Sequence, residues 1–119
     1  MTSTNFTIIG RQDRPGKLDP EILLACAARC VVVMRDIATK NQNIRFHALG
    51  REVGLIGQNE RWKAWRRQQV ADICQFAAAA DVNAYGSETL EWRRVVDGRG
   101  NPLRGVTRDS RLISIPGQP

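Results

Sequence analysis

Cysteine, histidine and lysine are scarce in this 119-residue chain, and each shortage closes off a kind of function. Three cysteines, an odd number with no Cys-x-x-Cys pair, exclude a disulfide-built scaffold. The opening MTSTNFTIIG has neither a basic region nor a long apolar core. It does not read as a secretory signal, and the expected location is the cytoplasm. No apolar run approaches the ~18 residues that a membrane span needs, so no membrane partner is expected. His47 is the single histidine, so a Ser/His/Asp or Cys/His site has to use it. Nothing near it in the chain suggests an orienting carboxylate or an exposed nucleophile. Cys26, Cys30 and His47 are three conceivable zinc ligands. The cysteines sit among apolar residues, however, and read as small buried hydrophobes. P-loop and Rossmann glycine patterns are absent. Glu88, Glu91 and Asp97 are scattered acids, more suited to water than to a general acid-base pair. The expectation is a non-enzyme with no metal and no cofactor.

What is plentiful is arginine. The chain has 18 basic residues against 12 acids, a net charge of +6, and only Lys17, Lys40 and Lys63 are lysines. The guanidinium is a planar fork of donors that matches phosphate and guanine and stacks on bases. Genome base composition is the plain alternative cause of the arginine bias. The net positive charge still calls for a polyanionic partner, and nucleic acid is the commonest. The length suits one domain with a core of useful size.

Residues 1–18 are polar, carry Arg11, Arg14, Pro15, Gly16 and Lys17, and read as a partly ordered arm. Phe6, Ile8 and Ile9 would add a short strand or pack down. Asp19-Pro20-Glu21 marks a helix start: an acceptor at the N-cap, proline at the first position, an acid in the first turn. Ile22, Leu23, Cys26, Cys30, Val33, Met34 and Ile37 follow at three- and four-residue spacing. Leu24, Ala27, Val31 and Val32 make this first helix apolar nearly all round, which predicts a central buried helix. Asn41-Gln42-Asn43 ends it.

A second helix is expected over Phe46–Val53, with Leu49 and Val53 facing inward and Gly54 as a left-handed cap. Leu55 and Ile56 then point inward. Asn59 is placed to cap a third helix over Trp62–Ala80, with Glu60 at its positive end. Two helices joined by a short glycine-containing turn, the second basic, make the pattern of a helix-turn-helix nucleic-acid reader. At 100° per residue, Trp62, Gln69, Val70, Ile73, Phe76 and Ala77 share the inner side of the third helix. Arg61, Ala64, Gln68, Ala71 and Gln75 share the outer side, with Arg67 at its edge. Arginine there suits guanine and glutamine suits adenine, whereas a solvated face would look the same.

Residues 81–88 read as a loop, and Thr89–Val96 as a strand. Asp97 to Pro102 would form a turn and Leu103–Val106 the returning strand. A strand, a glycine-rich basic tip and a second strand after a helix-turn-helix make a wing. The fold class expected is mainly α with a small β-hairpin: a winged helix-turn-helix with an additional buried N-terminal helix. The domain would span residues 19–115, followed by a tail over 116–119.

FHALGREVG, a basic helix and EWRRVVDGRGNPLRG together resemble the winged-helix DNA-binding domain of the O6-alkylguanine alkyltransferases and alkyltransferase-like proteins. The resemblance covers about residues 44–105. Phe46 stands at the aromatic place that opens the family's second helix, and Gly54 at its closing glycine. The family's Pro-Cys-His-Arg-Val motif aligns with Glu91-Trp92-Arg93-Arg94-Val95, so Trp92 stands where the reactive cysteine would be. A tryptophan stands there in some non-enzymatic relatives. Gly98 or Gly100 matches the hairpin glycine. The resemblance implies a winged helix with a DNA-facing third helix, and Phe46 and Trp92 as a possible base site.

The leading expectation is therefore a small DNA-binding protein that takes duplex DNA. Arg61, Arg67 and Gln68 would read a groove, Arg93, Arg99, Arg104 and Arg108 would hold phosphates, and Lys63 and Arg94 are further nucleic-acid-binding candidates. The alternative is a winged-helix protein-interaction module, a subunit or inhibitor docked through the surface of the first helix. RNA binding through the arginine wing is the weaker alternative.

Overall fold

The computed structural model describes residues 12–102. Phe6, Ile8, Ile9, the returning strand over 103–106, Arg104, Arg108 and the tail lie outside them. In the described residues the chain is mainly helical with a small two-stranded parallel sheet. The order is α1 (Pro20–Thr39), β1 (Ile44–Arg45), α2 (Phe46–Glu52), α3 (Arg66–Tyr85), a 3-10 turn at Trp92–Arg94 and β2 (Val95–Val96).

Helix α1 begins at the expected proline, but Asp19 does not cap it with its side chain. The Asp19 carboxylate instead accepts from Arg14 Nη2 at 3.1 Å, and its backbone N–H donates to Gln12 Oε1 at 3.0 Å. Cys26, Ala27, Cys30, Met34 and Ile37 form the buried stripe, packed mainly along α3. The expectation of a helix buried all round is corrected: Leu24 and Val32 are exposed. In a domain with three helices among its described residues, α1 has neighbours on one side only, so its outer apolar residues find no cover. Asn41, in the left-handed region (φ 53°), ends the helix. Its N–H and that of Gln42 return to Ala38 O and Ile37 O, which satisfies two terminal carbonyls.

Helix α2 follows β1 with no intervening residue. Leu49, Val53, Leu55 and Ile56 are all fully buried, as expected. Gly50 sits where α2 crosses the next turn. A Cβ there would stand 2.6 Å from Ile56 Cδ1 and 3.1 Å from Val70 Cγ2, so the approach depends on the missing side chain. Gly54 takes φ 85° and closes α2 as expected.

The connection to α3 is longer than the expected turn. Residues 57–65 are not helical, and α3 starts at Arg66 rather than at Trp62. Asn59 does not cap it, and Glu60 shows why. Its Oε1 accepts from the Gly57 N–H at 3.2 Å, while its Oε2 accepts from Arg66 Nη2 at 2.9 Å and Nε at 3.1 Å. A carboxylate held at both ends keeps this stretch as a loop, and Trp62 packs edge-on to Phe46. Arg66 is fully buried. It also donates to Gln12 O, to Gln69 Oε1 at 3.0 Å and to Asp13 Oδ1 at 3.3 Å. Gln69 Nε2 donates in turn to Arg14 O at 2.8 Å and Gly16 O at 2.9 Å. Residues 12–18 of the expected arm are thus held on the start of α3 by a buried polar network.

Helix α3 runs to Tyr85, past the loop expected after Ala80, and stops at Gly86 (φ 81°). Asp81 is buried and accepts from Thr89 N–H at 2.6 Å, Thr89 Oγ1 at 2.5 Å and Leu90 N–H at 3.3 Å. These bonds also explain why the strand expected over Thr89–Val96 is mostly absent. Its first donors are taken by Asp81, and the Arg94 N–H turns back to Glu91 O at 3.0 Å. Only Val95 and Val96 are extended, and they pair with β1 in parallel register, Ile44 with Val95 and Arg45 with Val96. Of the expected hairpin, the described residues show the tight turn after Val96 and one antiparallel bridge, Val96 to Pro102.

Cys26, Cys30 and Cys74 are buried and in no disulfide, and no metal-binding cluster occurs among the described residues. Burial pushes the Cys26 thiol up to about 11, partly offset by Arg29. The Cys74 thiol is raised by its hydrogen bond with Cys30 and by burial. The thiolate is the reactive form. All three thiols are out of reach of solvent, so they should be silent toward an aromatic disulfide reagent at about pH 8 in the native protein, and all should react in denaturant. A fast native thiol would contradict the burial.

Candidate nucleic-acid interface

The parallel pair β1–β2 fixes the site. It brings the start of α2 beside the turn after β2, and the start of α3 closes the third side. Between them lies an open cleft of about 430 Å³ lined by Arg45, Phe46, His47, Arg51, Trp62, Arg67, Val96, Asp97 and Gly98. Phe46 and Trp62 meet edge to face, centroids 6.4 Å apart, and His47 meets Trp62 similarly at 6.3 Å. The Arg67 guanidinium carbon lies 5.8 Å from the Phe46 centroid. Arg51 Nη2 donates to Glu60 O at 3.0 Å, which steadies the wall between α2 and the connection. Three arginines therefore line a cleft that also holds Phe46 and Trp62, with Asp97 as the one carboxylate among its lining residues.

Asp97 is engaged by the backbone of its own turn. Its Oδ1 accepts from the Asn101 N–H at 3.0 Å and the Arg99 N–H at 2.8 Å. These bonds, with the nearby Arg99 charge, hold its carboxyl below the usual aspartate range. The turn presents Arg99, which is exposed, at its tip.

The residues expected to form the site separate into groups. Phe46 and Arg67 lie in the cleft. Gln68 does not. It donates to Asp72 Oδ1 at 2.8 Å and lines a different groove with Gly16, Lys17, Leu18, Leu23 and Trp65. Arg61 and Lys63 are exposed on the connection rather than on α3, and the Lys63 ammonium lies over Trp65 at 5.5 Å. Ala64 is likewise off the helix, so it does not flank Gln68 on one face. Arg93 is exposed, 3.7 Å from Glu91. Arg94 is turned inward, with Nε to Glu91 Oε1 at 2.9 Å, Nη1 to Gln42 O at 3.2 Å and Nη2 to Asn41 Oδ1 at 3.1 Å. It ties the 3-10 turn to the end of α1. Trp92 is in the core, 1% exposed, and its indole N–H has no acceptor. Arg104 and Arg108 are outside the described residues.

Arg45, His47, Arg51 and Trp62 were not singled out in the sequence as site residues. A signal existed for two of them: Arg45 immediately precedes the second helix and Arg51 lies in its last turn, with Phe46 and His47 at its start. Arg45 belongs to a strand of two residues that periodicity cannot reveal, and Trp62 reads as core. No protein-family model, curated protein or solved structure matches the chain.

Proposed function

We propose that this is a small, non-enzymatic DNA-binding protein that seats duplex DNA against the cleft between α2, α3 and the Asp97 turn. The observation that carries the reading is the convergence of Arg45, Arg51 and Arg67 on one open cleft of a protein with net charge +6. Guanidiniums are permanently charged at neutral pH, and phosphate is the ligand whose geometry they match. In this reading the domain is a winged helix-turn-helix with a lengthened connection between α2 and α3. Arg99 at the turn tip would follow the backbone as a wing does. Phe46 and Trp62 would pack against sugar or base edges. Of the residues expected from sequence, Arg67 and Arg99 keep a direct role in this scheme, and Arg94 acts by holding the turn.

The reading is tested by anisotropy titrations of duplex DNA, single-stranded DNA and RNA at several salt concentrations. Each phosphate neutralised should contribute about −0.9 to the slope of log K against log salt. Three or four contacts then predict a slope of about −3 on duplex DNA. A flat response, or no binding at low salt, refutes the proposal. Tighter binding to RNA than to duplex DNA would favour the RNA reading instead.

A further inference from the structure

Among the described residues, the large apolar side chains left exposed are Leu24, Val32 and Tyr85, at 55%, 67% and 63%. Two lie on the outer face of α1. Tyr85, at the end of α3, adjoins the same face through Arg35, whose guanidinium carbon is 5.6 Å from the ring centroid. At 100° per residue, Glu21, Leu24, Ala28, Val32 and Arg35 fall within about 40° of the direction of Ala28. All five are exposed. Their order is symmetric about Ala28. Leu24 and Val32 stand four residues to either side, and Glu21 and Arg35 stand seven.

A helix with that order is complementary to itself when reversed. We propose that the outer face of α1 is a homodimer interface, with two copies packed antiparallel about Ala28 and closed at both ends by Glu21–Arg35 pairs. In a two-fold interface, if residue i meets residue j of the partner, then j meets i. With the axis at Ala28, Leu24 lies beside the partner's Val32, and Glu21 beside the partner's Arg35. Ala28 faces its own copy, and its small side chain lets the axes approach to the ~8 Å end of the usual helix spacing. A parallel arrangement would set Glu21 against Glu21 and Arg35 against Arg35. Arg35 has capacity for the contact. Its side chain is 48% exposed, its Nη2 makes one long bond to Thr89 Oγ1 at 3.4 Å, and Asp81, at 3.9 Å, is already held by Thr89 and Leu90. The second copy is preferred to an unrelated partner because the charges and the apolar pair complement each other by position. The inference does not depend on DNA binding.

Sedimentation equilibrium of the full chain from about 10 µM to about 1 mM should show a reversible monomer–dimer equilibrium. Glu21→Arg and Arg35→Glu should each weaken it by about tenfold or more, since each reverses two pairs per dimer. The double variant Glu21→Arg/Arg35→Glu should restore it. A second measurement does not rely on Arg35. Under mild oxidation Ala28→Cys should form a covalent dimer, while Leu24→Cys should not. The two copies of residue 24 would be held about 12 Å apart along the axis, beyond disulfide reach. The native cysteines are buried and do not compete. A monomer at every concentration overturns the proposal, as does a dimer that survives Ala28→Glu or cross-links at residue 24 as readily as at residue 28.

Discussion

Arg66→Ala should cost about 3–5 kcal/mol of folding stability, the usual loss when one partner of a buried ion pair is removed. The side chain is 1% exposed and its partner Glu60 is 13% exposed, so the attraction is little screened. The second carboxylate, Asp13, is 72% exposed and contributes little of that figure. Removing the guanidinium also strips Gln12 O and Gln69 Oε1 of a buried donor, and each loss adds a desolvation cost. Against a total stability of about 5–15 kcal/mol this is a large share. Urea unfolding at neutral pH gives the number. Amide exchange should show residues 12–18 losing protection, because Gln69 and Arg66 together hold them on α3. Replacing the pair by Arg66→Leu/Glu60→Leu should recover only the part of the loss that comes from leaving Glu60 charged and unpaired, since Gln12 O, Gln69 Oε1 and the Gly57 N–H still lack their partners. A cost below about 1 kcal/mol for Arg66→Ala would show that the network does not hold the fold as the geometry indicates.

The second large effect is expected on binding. The triple variant Arg45→Ala/Arg51→Ala/Arg67→Ala should weaken duplex DNA binding by about 100-fold or more at low salt. This takes about 1–2 kcal/mol for each charge-assisted contact, with about 1.4 kcal/mol per tenfold. It should also flatten the salt slope by nearly three units, about one per arginine. Arg94→Ala is the contrasting control. Its guanidinium is spent on Glu91, Gln42 and Asn41, so it should lose stability and keep the slope. Gln68→Ala should bind like the parent, because Gln68 bonds to Asp72 in a groove separate from the cleft. If the triple variant binds normally while Gln68→Ala does not, the reader is the other face of α3 and the proposed docking is wrong.

Much of the architecture was legible in local chemistry. Proline at the first position of α1, glycine at 54 with positive φ, and the apolar spacing of Cys26, Cys30, Met34 and Ile37 act within one or two turns of chain. Such signals survive without knowledge of neighbours. So does the burial of Leu49, Val53, Leu55 and Ile56, which follows from a helix closing on a glycine. What failed were readings that needed a partner. The third helix starts late because Glu60 bonds to both Gly57 and Arg66. The expected long strand breaks because Asp81, on another element, takes the amides of Thr89 and Leu90.

The sequence by itself determined that three helices form, where the first two begin and end to within a residue or so, the buried stripe of the first, and that the chain carries arginine in excess. Propensity, capping and periodicity are properties of neighbouring residues, so they can be read along the chain. Only the tertiary structure decided which arginines share a surface. A guanidinium at Arg66 is drawn inside by a carboxylate and buried carbonyls, one at Arg94 is spent tying a turn to a helix end, and Arg45, Arg51 and Arg67 line one cleft, Arg51 with a single bond to Glu60 O and Arg67 over the Phe46 ring. The residue type is the same in each case. The difference lies in the acceptors that long-range packing places within about 3 Å of each fork, the distance at which a hydrogen bond forms.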